Sequence, residues 1–160
     1  MTSERIHVKI GEVRVAAETG VLFTIGLGSC VAVALYDPRV KVGGMAHVML
    51  PDSGRNANSP GRFAPTAVPA LVDMMLAAGA RKRGMYARIA GGAAMFKDVL
   101  PVEGLQLGER NITAVKNALA RSAIPLRGED VGGSFGRSVF LDTGDGSLLI
   151  RVVRRGDVTL

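Results

Sequence analysis

The sequence predicts a single α/β domain, residues 1–160, with a largely antiparallel or mixed sheet covered by two main helices. Three observations predict it. Short segments alternate apolar and polar residues with a period of two, the signature of half-buried strands. Two longer segments repeat their apolar residues at helical spacing. The 21 glycines fall at the junctions, as a fold with many tight turns requires.

The elements follow in order. "RIHVKI" sets Ile6, Val8 and Ile10 on one face and His7 and Lys9 on the other. "EVRVA" repeats the pattern after Gly11, so the two read as a hairpin. "VLFTIGL" and "CVAVALYD" are the next strands, the second ended by Asp37-Pro38, and "GGMAHVML" is a fifth, ended by Pro51. "PDSGRNANSPGR" is polar and turn-rich, a loop of the kind that covers a site. From Pro65 the period changes: Val68, Leu71, Val72, Met75 and Leu76 form a helical stripe that ends near Gly79, suited to a C-cap. "MYARIAGG" returns to a strand, and Ile112, Val115 and Leu119 form a second helical stripe that ends before Ile124-Pro125. The remainder reads as strands between glycine turns, with "DTGDGS" a hairpin connection. The count is about eight strands and two principal helices.

Composition narrows the function. One cysteine excludes an internal disulfide and fits a reducing compartment. No secretory h-region and no long apolar run is visible, so a cytoplasmic protein without membrane insertion is expected. The net charge of +6 suggests nucleic acid. Five Phe and two Tyr, not interleaved with basic residues, make no stacking platform, and no nucleic-acid partner is expected. Arg81-Lys82-Arg83 and Arg154-Arg155 read as a solvated face, or as steering toward an acidic protein.

"GLGSCV" lacks the third glycine and the following helix that a phosphate loop needs. One Cys and two His cannot assemble a three-His or Cys₂His₂ centre, so neither metal nor cofactor is expected. The lone cysteine, Cys30, follows glycines whose backbone can expose N–H groups. His47 lies on an otherwise apolar strand and needs a partner or bears a desolvation cost. Core filler is the bland reading of both. The chemical reading is a nucleophile and its base: an imidazolium stabilises the thiolate, the thiolate attacks an acyl carbon, and the imidazole then activates water. Thr24, whose hydroxyl can accept from a ring N–H, is the candidate that orients the imidazole. Backbone N–H groups at Gly28, Ser29 and Cys30 are candidate oxyanion donors. Arg137 is a candidate substrate contact or a strand-end cap.

"FTIGLGSCVAVALYD" followed by "GGMAHVMLP", then "ARIAGGAAMF", "LGERNITAV" and "GEDVGGSFGRSVFLDTGDGSLLIRVV", resembles the bacterial chemoreceptor glutamine deamidase family, CheD, in matching order over about Val8 to Val153. The resemblance implies a three-layer α/β/β sandwich. It implies a Cys–His–Thr amidohydrolase, carried by Cys30, His47 and Thr24. Such enzymes convert glutamine side chains of methyl-accepting chemotaxis receptors to glutamate, and some hydrolyse glutamyl methyl esters. In some bacteria the family also binds a CheC-type phosphatase. The rival reading is a non-catalytic adaptor that acts by occupancy.

Overall fold

The computed structural model describes residues 4–52, 59–95, 106–152 and 155–160. Ten strands and two α-helices are found among them: β1 (Glu4–His7), β2 (Val13–Ala17), β3 (Gly20–Leu27), β4 (Val31–Asp37), β5 (Val42–Val48), α1 (Ala64–Ala77), β6 (Tyr86–Gly91), α2 (Leu107–Arg121), β7 (Leu126–Val131), β8 (Arg137–Asp142), β9 (Leu148–Val152) and β10 (Gly156–Thr159). They form two five-stranded sheets, ordered β1-β3-β8-β9-β10 and β2-β5-β4-β6-β7. Pairing is antiparallel except for β1 with β3 and β6 with β7.

The burial pattern defines three layers. Every residue of β4 is buried, because this central strand is covered on both faces. Val31, Val33 and Leu35 face the helices, packing with Val68, Leu71 and Met75 of α1 and Val115 and Leu119 of α2. Ala32 and Ala34 face the other sheet, against Leu22, Leu141 and Ile150. Small residues on that face let the sheets approach: a Cβ on Gly43 would lie 2.7 Å from Thr143 Cγ2. Each fully buried aliphatic side chain contributes about 1.5–3 kcal/mol. The three-layer α/β/β sandwich is therefore the observed architecture.

Both expected helical stripes face the core, with Ile112 only partly buried and Leu76 exposed. Gly79 takes φ +103° just past α1, the left-handed geometry of a helix terminus. The turn after Asp142 joins β8 to β9 as an antiparallel hairpin. Two expectations differ from the fold: ten strands stand among the described residues where about eight are expected, and one expected pairing is absent. "RIHVKI" and "EVRVA" are not a hairpin, since β1 pairs with β3 in one sheet and β2 with β5 in the other. Alternation reports which face of a strand is buried but not which strand lies beside it. The expected loop over Pro51–Arg62 falls on residues 53–58, outside the described residues, except for its ends.

Candidate active site

The crossover that replaces the expected hairpin wraps the strand carrying His47. Gly11 N–H donates to His47 O at 3.0 Å, and His47 N–H donates to Glu12 O at 3.1 Å. His47 pairs in register with Ala32 of β4, so its ring enters the layer between the sheets. It is only 4% exposed. From the opposite sheet, buried Thr24 brings Oγ1 to 2.9 Å from His47 Nδ1. The Val8 carbonyl oxygen lies 3.2 Å from the same nitrogen. A carbonyl only accepts, so Val8 selects the tautomer with hydrogen on Nδ1, and Thr24 Oγ1 accepts a share of that proton. The lone pair of the neutral ring is thereby placed on Nε2.

Cys30 immediately precedes β4 and is half-buried. It packs against the inter-sheet cluster, on the face that holds Ala32 and His47. It stands two residues from the partner of His47, a diagonal neighbour across the two strands. The thiol segment therefore stands at the same end of the inter-sheet layer as the imidazole and the Thr24 hydroxyl.

The glycines around Cys30 have separate tasks. Gly92 N–H donates to Cys30 O and Ala93 N–H to Gly28 O, each at 2.8 Å. A Cβ on Gly91 would sit 2.2 Å from Cys30 O, so only glycine permits this approach. Asn111 of α2 donates to Ser29 O at 2.9 Å. The carbonyls of Gly28, Ser29 and Cys30 are therefore all engaged. The N–H groups of Ser29 and Cys30 have no acceptor among the described residues, which is the state an oxyanion donor requires.

Arg137 is placed differently. It is buried, with Nε on Asp130 Oδ1 and its Nη atoms on the carbonyls of Gly91, Phe135 and Gly132. Four of its five N–H donors are spent on closing the turn before β8, so the strand-end role fits and a substrate contact does not. Asn111 and the Val8 carbonyl were not among the sequence candidates. Among the described residues, no three His, Cys, Asp or Glu side chains gather as metal ligands. No helix among them is long and apolar enough to cross a membrane.

Burial pushes the Cys30 thiol above its ordinary value. Burial also pulls His47 below the ordinary 6.5; the Val8 carbonyl and Glu12 oppose this shift and His7 adds to it. Burial thus favours the thiol and the neutral imidazole over a thiolate–imidazolium pair. A base must be neutral to take a proton, and its neutral fraction rises with pH. The acid limb of kcat/KM is therefore expected below pH 6.5, with alkylation of Cys30 by iodoacetamide slowing along the same limb. Alkylation as fast at pH 5 as at pH 8 would restore the ion pair.

The fold and site define a class: a three-layer α/β/β domain with a thiol, an imidazole and a hydroxyl at one end of its inter-sheet layer. The family model described as CheD chemotactic sensory transduction matches residues 49–152. The chain is 47% identical to the chemoreceptor glutamine deamidase CheD of Thermotoga maritima, over 94% of this chain and 93% of that one. It is 42% identical to the probable chemoreceptor glutamine deamidase CheD of Clostridium botulinum strain Alaska E43, over the full length of both. It is also 42% identical to the probable enzyme of Archaeoglobus fulgidus, over 96% of each chain. The solved structure of Bacillus licheniformis hypothetical protein YfiH aligns at 14% identity and a TM-score of 0.42, covering 71% of this chain and 48% of that one, too distant to carry an argument. The chain belongs to the CheD family.

Proposed function

We propose that this chain is a chemoreceptor glutamine deamidase that works in the cytoplasm on receptor helices, with Cys30 as nucleophile, His47 as base and Thr24 as the group that orients it. The observation that carries the reading is the Thr24–His47–Val8 arrangement, which fixes the imidazole tautomer on the face where Cys30 stands. As Sγ attacks the carboxamide carbon, His47 Nε2 takes the thiol proton. The N–H groups of Ser29 and Cys30 receive the oxyanion. Collapse of the tetrahedral adduct breaks the C–N bond. The imidazolium gives its proton to the departing nitrogen, which leaves as ammonia. A thioester remains. Water, deprotonated by the neutral imidazole, attacks its carbonyl, and the thiol leaves with its proton restored. The sum is carboxamide plus water giving carboxylic acid plus ammonia. A glutamyl methyl ester follows the same path with methanol as the leaving group.

Exposed Met49 and Met95 support docking of a helix at this mouth. Met49 follows β5 just beyond His47, and Met95 Sδ would lie 3.0 Å from a Cβ on Gly28. Methionine adapts to varied apolar partners. A CheC-type phosphatase that occupies the mouth would compete with the receptor. The test is mass spectrometry of a receptor cytoplasmic domain co-expressed with this protein. A gain of about one dalton at particular glutamines is expected, since the reaction exchanges an amide for an acid. A receptor whose glutamines stay unchanged beside folded protein overturns the proposal.

A further inference from the structure

The ladder between β4 and β5 ends at the pair Val31 and Val48. Cys30 and Met49 lie just past it. Strand hydrogen bonds therefore no longer set the separation of the thiol segment from the histidine strand. A side chain takes over. Asn111 of α2 is fully buried, and its Nδ2 donates to Ser29 O at 2.9 Å and to Met49 O at 3.0 Å. Ser29 is the residue before the nucleophile, and Met49 is two residues after His47. Two strand ends present two carbonyls, neither with a donor of its own in the ladder. One carboxamide supplies both hydrogens.

The arrangement fixes the amide orientation, because carbonyls only accept: the nitrogen must face both. It also leaves Asn111 Oδ1 buried with no donor among the described residues. A buried acceptor without a partner is destabilising. On α2 the position belongs to the buried stripe of Gly108, Val115, Ala118 and Leu119, where an apolar side chain would pack without that penalty. An apolar residue there would in turn leave the Ser29 and Met49 carbonyls without a donor, so what asparagine supplies at this position is the pair of bonds it donates.

We propose that Asn111 is a positioning residue, whose carboxamide sets the spacing of the Cys30 and His47 segments for the reaction. This rests on the Cys–His reading above. Asparagine suits the task through its NH₂ group. An aspartate would set acceptors against two carbonyls, and a leucine of similar size would fill the stripe and bridge nothing.

The test uses Asn111→Leu and Asn111→Ala in the full chain, with Val68→Ala on α1 as a control for lost packing in the same helical layer. His7 and Glu12, the charged and titratable neighbours acting on His47, are unchanged in all three. Ammonia release from receptor, thermal midpoint, and the pH profile of Cys30 alkylation are measured. Both Asn111 variants should lose about 10- to 100-fold in kcat with KM nearly unchanged, as misplacement of reacting groups by about an ångström does. Their alkylation profile should move to that of His47→Ala, while Val68→Ala loses stability and keeps both readouts. Wild-type kcat and profile in Asn111→Leu would overturn the inference and leave the Cys–His reading standing. A His47→Ala protein with the wild-type alkylation profile would overturn both.

Discussion

Cys30→Ala protein is expected to release no ammonia from receptor above background, a loss of about 10³-fold or more, while its fold and its affinity for receptor persist. The first half follows from chemistry. Without Sγ there is no thioester, and a base and an oxyanion site alone retain only a small part of the rate enhancement. The second half follows from structure. Cys30 is half-buried and outside the strand ladder, and its carbonyl still accepts from Gly92 N–H when the side chain is truncated. Loss of one thiol from the edge of the inter-sheet cluster costs about 1 kcal/mol or less, a small part of a typical domain stability. The same variant separates the enzyme from an adaptor. A receptor that remains functionally adapted in cells carrying only Cys30→Ala would mean that occupancy, not turnover, is the activity.

Much of this site is legible in the sequence because its residues are rare where they stand. A single cysteine after two glycines, and a histidine on an apolar strand, ask for an explanation that alanine or valine would not. Thr24 follows once a hydroxyl is sought near them, and the structure sets it 2.9 Å from the ring. The Val8 carbonyl leaves no such trace, since every residue carries one. Its place depends on β1 and β2 entering different sheets, and alternation is silent on that. Asn111 is hidden for another reason: a helical stripe is found by its apolar members, and a polar residue four positions before Val115 reads as a gap. Such a gap is the signal that could have found it, because Gly108, Val115 and Leu119 already mark the buried face. The charge states depend on burial, which no local motif reports. Arg137 misleads in the opposite direction, because a guanidinium spent on three backbone carbonyls and Asp130 is indistinguishable in sequence from one awaiting substrate.

Gly91→Ala is expected to be the most damaging small substitution near the site. Two effects coincide there. Gly91 has φ +114°, a conformation essentially closed to residues with a Cβ. The added Cβ would also lie 2.2 Å from Cys30 O and 3.3 Å from Val31 Cα, both backbone atoms that no rotamer change can clear. Relief requires β6 to part from β4 at the pair Val31 and Gly91, and this breaks the Gly92 N–H bond that holds Cys30 O. Gly79→Ala isolates the first effect, since Gly79 has φ +103° with nothing within 4 Å of an added Cβ. Conformational strain alone costs about 1–2 kcal/mol there. Gly91→Ala should exceed it by at least about 2 kcal/mol in denaturant unfolding, as forced overpacking does. Any folded fraction should lose ammonia release, because the atom that moves belongs to the nucleophile's own peptide unit. Equal unfolding midpoints for the two variants, with turnover retained in Gly91→Ala, would show that the β6 glycine does not hold the thiol segment in place.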